Sequence, residues 1–275
     1  MADRYDDDDD RPRRGRKRYD DDDDDVPRGR RSESKKGMST PLIIGIVFGV
    51  LLLCVGLPIG LMIPAISQFR KSASKASDTN DMKQVVIAAH NRHDTVNEFA
   101  EGPYSKDVQT QVVNSRLSFR VDLLPYIEQQ YLETQFRKGE GWDSAVNRPL
   151  GDVVIQSYAS TLDPAGTATT RYRGFVGPGT VFEPGKKVRL TDITDGSTNT
   201  IYAITADDGV VWSKPDELPF SATGPLPSFG KKAYSGGTNI AMCDGSVKFL
   251  RNTTNETVLR ALITRNGNEQ VPVDW

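Results

Sequence analysis

Apolar and polar positions divide this chain into stretches of different period. From Pro41 to Ile66 no charged residue occurs, and Leu42 to Leu53 is almost wholly aliphatic. A helix needs roughly 20 such residues to cross the hydrocarbon core of a bilayer, so the run predicts one transmembrane helix over residues 40–68. Pro58 and Pro64 would kink or end a helix in water, but bilayer helices tolerate them. From Asp81 the apolar residues Met82, Val85, Val86, Ala89 and, more loosely, Val96 recur at helical spacing, which predicts an amphipathic helix. The polar stretch 67–80 between them reads as helix or hinge. A second helix is predicted on Leu123, Leu124, Ile127 and Tyr131, with Pro125 in its first turn.

Beyond Gly139 the pattern changes to short β-prone runs separated by Gly, Pro and Asp-Gly pairs: Val153 to Tyr158, Tyr172 to Val176, Thr200 to Thr205 and Val210 to Trp212. Helices first and strands after predicts an α+β domain with a mainly antiparallel sheet and short helices, spanning 69–275. Asp244-Gly245 predicts a two-residue type I′ hairpin, in which both central residues take positive φ. That register sets Cys243 opposite Ser246, Met242 opposite Val247 and Ile240 opposite Phe249, with the bulky pairs on one face. A closing helix follows, with Thr253 and Glu256 as a capping box and Val258, Leu259, Leu262 and Ile263 as its apolar face. Gly267 lies just past its end.

Charge changes the picture at the N-terminus. The 275 residues carry a formal net charge of -2, which gives no global bias toward nucleic acid. Within that balance, Asp6 to Asp10 and Asp20 to Asp25 are pure aspartate runs that alternate with basic blocks, and Arg-Tyr followed by five aspartates begins at both Arg4 and Arg18. Such a segment buries too little apolar area to offset its ordering entropy, so residues 1–39 are expected to be a disordered polyampholyte tail. A cleaved secretory signal is the competing reading of the apolar run, but a secretory core is shorter and stands nearer the N-terminus. Arg28, Arg30, Arg31, Lys35 and Lys36 before the run slightly outweigh Arg70, Lys71 and Lys75 after it, which leans toward a cytoplasmic tail and an extracytoplasmic domain. The two cysteines, Cys54 and Cys243, do not form a disulfide framework.

Candidate chemistry is sparse. His90 and His93, beside Asp94, supply half a metal site with no third ligand in view. Asp192, Asp195, Asp207, Asp208 and Asp244 carry the oxygens that calcium prefers, but turn formation explains each of them. Ser197, Ser235 and Ser246 stand near glycines without a nucleophile elbow, and Gly177-Pro178-Gly179 lacks the Lys-Ser/Thr of a phosphate loop. No catalytic, cofactor-binding or metal residue is therefore assigned, and a non-enzymatic role is expected. The partners expected are the lipid bilayer through residues 41–66 and a second copy or a cell-envelope partner, with no nucleic acid.

Several blocks in order resemble one family. Asn80-Asp81-Met82-Lys83-Gln84 with His90-Asn91 and His93-Asp94 comes first, then Leu117 to Val121 with Leu123-Leu124-Pro125-Tyr126-Ile127-Glu128-Gln129. Trp142-Asp143, Gly177 to Thr180, Asp192 to Ile201, and Gly236 to Asn239 with Asp244 to Val247 complete the order. Together they resemble a planctomycete-type prepilin-like family of unknown function, domain-of-unknown-function family 1559. The resemblance implies a pilin-like plan and a structural or assembly role at the cytoplasmic membrane; the alternative is an anchored module that binds a solute, glycan or envelope partner. Three departures stand out: Tyr234 occupies the place of the family's signature His, no prepilin Glu follows Gly37, and Asp78 and Ser160 stand where relatives tend to carry cysteines. The last departure implies that those two positions form a disulfide in relatives.

Overall fold

A computed structural model describes residues 37–101, 117–269 and 271–272; the charged tail before Gly37 lies outside them. The chain falls into two units, divided after Ile59. The first contains helix α1 (Thr40–Leu51) and a π-helical turn at Leu52–Gly56. Pro41 sits in the first turn of α1, where an amide has no helical acceptor to lose. No residue of α1 is buried, and large apolar side chains from Leu42 to Leu51 project on all its sides. No helix among the described residues is by itself long and apolar enough to cross a membrane. The uncharged run expected to be one helix over 40–68 is instead shared by α1, the π turn and the start of α2 (Leu57–Val96).

The second unit starts at Gly60. The polar stretch 67–80 is helical and not a hinge, as part of α2. Met82, Val85, Val86 and Ala89 are fully buried along one stripe, as their spacing predicts, and Ala88 is buried beside them, whereas Val96, the looser member of the predicted stripe, is exposed near the helix end. Asn97 ends the helix in the left-handed region, φ 57°, with its amide donating to the His93 carbonyl at 2.6 Å.

The helix predicted around Leu123 to Tyr131 is broken into three turns: α3 (Phe119–Asp122), a 3-10 turn at Leu124–Ile127 and α4 (Gln130–Gln135). Glu128 takes a positive φ of 63° and stops the helical path there, and Tyr131, expected on the apolar face, is 82% exposed. A short α5 (Asn147–Gly151) follows. The β-prone run Val153 to Tyr158 forms no strand and ends in a 3-10 turn at Gln156–Tyr158, because Tyr158 is drawn inward to donate to the Arg120 carbonyl at 2.6 Å.

The strands are β1 (Thr169–Arg173), β2 (Phe175–Val176), β3 (Ile201–Val211), β4 (Leu218–Pro219), β5 (Gly237–Met242) and β6 (Val247–Arg251). An antiparallel sheet runs β1-β3-β5-β6, and β2 with β4 makes a two-stranded parallel pair. Two predicted runs, Thr200 to Thr205 and Val210 to Trp212, are in fact mostly one strand, since Asp207-Asp208-Gly209 continues β3 without a turn. The architecture is thus α+β with an antiparallel sheet and short helices.

The hairpin between β5 and β6 is present, but its register is shifted by one residue. Ala241 faces Val247, Ile240 faces Lys248 and Asn239 faces Phe249. Gly245 alone takes a positive φ, 89°, its amide donates to the Met242 carbonyl at 3.1 Å, and the Met242 amide donates to the Ser246 carbonyl at 2.8 Å. This is a three-residue loop closed by a glycine bulge. Asp244 selects it by accepting from both the amide (2.8 Å) and the hydroxyl (2.6 Å) of Ser246. Alternation had no veto, because β5 is buried along its whole length. Ala241 packs in the cluster that includes α2, Tyr172, Tyr202 and Ala203, whereas Ile240 and Met242 pack with Ile204, Leu250, Leu262 and Ile263. The last two belong to α6 (Glu256–Ile263), whose N-cap is Asn255 and not Thr253: its side chain accepts from the Thr257 amide at 2.8 Å.

A buried ion pair ties these parts together. The Arg120 guanidinium makes four hydrogen bonds. Nε donates to the Trp212 carbonyl (2.8 Å), Nη1 to the Tyr172 carbonyl (2.7 Å) and Glu217 Oε2 (3.3 Å), and Nη2 to the Lys214 carbonyl (3.1 Å), while Nη2 also stands 3.0 Å from Glu217 Oε1 as an ion pair. Glu217 also accepts from the Ser118 hydroxyl (3.2 Å) and the Gly174 amide (2.8 Å). Both side chains are almost wholly inaccessible to solvent.

Candidate functional site

Three positions that depart from the family pattern, Asp78, Ser160 and Tyr234, meet against one side of α2. Asp78 is fully buried. Its carboxylate accepts from the Ser160 hydroxyl (3.0 Å), the Thr161 amide (2.7 Å) and the Tyr234 hydroxyl. The Tyr172 hydroxyl donates to the Asp78 carbonyl at 3.3 Å. Burial first, and then the neighbouring carboxylate, push the Tyr234 phenol up, so it keeps its proton and acts as the donor. A buried carboxylate is tolerable only when hydrogen bonds replace its water, and three donors do so here. The positions whose cysteines the resemblance links in relatives are thus brought side by side.

One turn further along α2, burial raises the Asp81 carboxyl to about 6, with the Asp78 charge adding to it and a bond from Ser77 opposing it. Since the folded carboxyl holds its proton more tightly than an unfolded one near 3.8, the contribution of Asp81 to stability is most favourable below pH about 4 and declines as pH rises to about 6. Asp81→Asn is expected to flatten that decline and to raise stability at pH 7 by on the order of 1 kcal/mol after solvent screening. Unfolding midpoints of both proteins from pH 4 to 7 check it; parallel profiles would show that Asp81 is not the group responsible.

Beside this node lies a cleft of about 450 Å³ between α2 and the segments 160–162 and 233–235. Arg70, Lys71, Lys75, Thr161, Tyr234 and Ser235 are among its lining, together with the apolar Leu162 and Ala233, and no carboxylate lines it. The Lys75 ammonium stands 3.3 Å from the centre of the Phe249 ring, and burial pushes its pKa down. Thr79 on the next turn accepts at its hydroxyl from the Asn239 side-chain Nδ2 at 3.0 Å, which fixes this part of α2 against β5.

The other flagged residues are used structurally. His93 Nε2 accepts from the Leu190 amide at 3.1 Å, and both His90 and His93 pack on Phe99. No group of three His, Cys, Asp or Glu side chains converges among the described residues. Asp195 accepts from the amides of Gly267 (2.7 Å) and Asn268 (2.8 Å), and Asp192 from that of Arg189 (2.8 Å). Asp207, expected in a turn, is buried in β3 and accepts from the Lys232 amide (2.7 Å) and the Ser228 hydroxyl (3.2 Å). Ser246 donates to Asp244. A Cβ on Gly177 would stand 2.0 Å from the Phe220 carbonyl oxygen, so this glycine serves close backbone approach. Cys54 is exposed and Cys243 is buried, both as free thiols.

The sequence reading treated Arg70, Lys71 and Lys75 only as charges flanking an apolar run and missed the cleft, since Leu162, Ala233 and Tyr234 reach it from distant segments. No curated protein and no solved structure matches the chain. The family model described as "Protein of unknown function (DUF1559)" matches residues 67–161, a stretch that includes Asp78 and Ser160 and ends before Tyr234. Residues 67–161 are thus similar to that DUF1559 family of proteins of unknown function, in line with the resemblance carried by the sequence blocks within this stretch.

Proposed function

We propose that the chain is a single-pass membrane protein of pilin-like or pseudopilin-like plan, which holds an α+β domain outside the cytoplasmic membrane for assembly or surface interaction. The observation that carries this reading is α1, whose apolar side chains are exposed on all sides with none buried. A helix apolar all round finds its favourable solvent in a protein core or in lipid. The reading takes the uncharged residues 41–66 as one span, through α1, the π turn and the start of α2. The basic residues before the run support a cytoplasmic tail. No catalytic role is assigned in this reading; His93, Asp195, Asp207 and Ser246 each make a hydrogen bond that holds a loop or turn.

A second reading, an anchored module that binds a solute, glycan or envelope partner, is favoured by the basic cleft. Absence of a prepilin Glu after Gly37 also suits a permanently anchored chain. Protease shaving of intact cells, followed by mass spectrometry of the membrane fraction, separates these readings. A full-length chain that loses its domain and keeps its tail is expected of a permanent anchor. A mature form beginning near Met38 would mark a processed pilin, and a protected domain would overturn the extracytoplasmic placement.

A further inference from the structure

The cleft beside Asp78 has the composition of an anion site. Three cations, Arg70, Lys71 and Lys75, line it and no carboxylate does. Among the described residues Asp78, the nearest buried anion, is already occupied by Ser160, Thr161 and Tyr234, so it is saturated with donors. Lys75 is held in place over Phe249, which lowers the entropy lost when its ammonium takes a ligand. The hydroxyls of Ser72 and Ser235 stand in the same lining as further donors.

Geometry narrows the anion. A phosphate monoester offers three charged oxygens to separate cations, and a phosphodiester offers two with its ester oxygens as further acceptors, whereas a carboxylate has two oxygens in all. Leu162, Ala233 and the Tyr234 ring form an apolar wall next to the cations, suited to the carbon part of an ester more than to an inorganic ion. About 450 Å³ falls within the range of small-molecule sites and admits a group of phosphoglycerol size. We propose that this cleft binds an organic phosphate ester through Arg70, Lys71 and Lys75. The inference rests on the reading of the chain as an anchored binding module. Its ligand chemistry is shared by a phospholipid headgroup and a soluble ester; Arg70 follows the uncharged run by only a few residues, and basic residues so placed attract anionic headgroups.

The test uses the full-length chain in non-ionic detergent. One arm titrates glycerol 3-phosphate, with glycerol as control. The other titrates dihexanoyl phosphatidylglycerol, with dihexanoylglycerol, which lacks the phosphate, as control; both arms are read by calorimetry. Saturable binding is expected, weakened at least tenfold by Arg70→Gln/Lys71→Gln and unchanged by Lys186→Gln/Lys187→Gln, a pair outside this cleft. Arg70 and Lys71 are exposed, so the first variant is expected to keep the circular dichroism of the parent. Binding of glycerol 3-phosphate identifies a soluble ester as sufficient; binding of the lipid alone identifies the headgroup as the source. No saturable binding in either arm, equal binding of dihexanoylglycerol, or equal weakening by both double variants overturns the proposal. Insertion into bilayer nanodiscs is scored separately: a chain that binds the ester yet fails to insert loses the anchor and keeps the site.

Discussion

Replacing Arg120 with alanine is expected to lower the free energy of unfolding by about 3–5 kcal/mol, the range for removing one partner of a buried ion pair. The guanidinium joins α3 to the carbonyls of Tyr172, Trp212 and Lys214 and to Glu217. Alanine would leave three carbonyls without that donor and Glu217 as a buried charge whose remaining partners are Ser118 and Gly174. Lysine would keep the charge but not the planar fork, and so rescue only part of the loss. Removing both charges, as Arg120→Met/Glu217→Leu, is expected to cost less than the two single changes added together, because neither charge is then stranded. Urea unfolding of the parent, Arg120→Ala, Arg120→Lys, Arg120→Met, Glu217→Leu and the double variant measures this. A loss below about 1 kcal/mol for Arg120→Ala would mean that water or a rearranged side chain replaces the guanidinium, contrary to its complete burial.

The second large effect belongs to the Asp78 node. The double variant Asp78→Cys/Ser160→Cys is expected to form a disulfide on oxidation, since the two side chains already approach to 3.0 Å across 82 residues of sequence. Closing a loop of that size stabilises by about 4 kcal/mol in the chain-entropy model, so the oxidised form should unfold at clearly higher urea than the same protein reduced. Comparison within one variant avoids counting the bonds lost from Thr161 and Tyr234 when Asp78 is replaced. Mobility on non-reducing gels and a thiol assay report the bond. Thiols that stay free under oxidant would mean that the Cβ atoms are directed apart, and would remove the structural basis for linking these positions in relatives.

Polar replacement at this node has a further consequence. A disulfide would hold α2 to the segment at 160 by a covalent bond, whereas the Asp78 carboxylate holds it through hydrogen bonds from Ser160 and Thr161. The raised carboxyl of Asp81 one turn away introduces a pH dependence into the same stretch of helix.

Much of the helix and strand content was legible from the sequence, and the errors have identifiable causes. Met82, Val85, Val86 and Ala89 share a helical stripe because their spacing alone sets them on one side, and they are buried as a group. Asp244-Gly245 announced a turn between two strands, but whether one or two residues took positive φ depended on the Asp244 bonds to Ser246 and on the pairing of Cys243 with the Thr200 carbonyl at 2.8 Å. The run at 123–131 had helical spacing and was still broken at Glu128. Val153 to Tyr158 had strand composition, yet Trp212 Nε1 donates to the Val153 carbonyl at 2.8 Å and Tyr158 turns inward, so the segment serves the core instead of a sheet.

The candidate site was the least legible part. Asp78, Ser160 and Tyr234 attracted notice only as departures from a family pattern, and no spacing rule relates three positions so far apart. Arg120 gave no sign of burial, since an arginine is ordinarily a surface residue. By itself the sequence determined where apolar stripes, uncharged runs and turn residues occur, because these depend on neighbours within a few residues. The tertiary structure alone decided which polar groups lose their water and which distant groups replace it. Those outcomes depend on how the whole chain closes around the sheet, and they placed Asp78, its three donors and the cations of the cleft together.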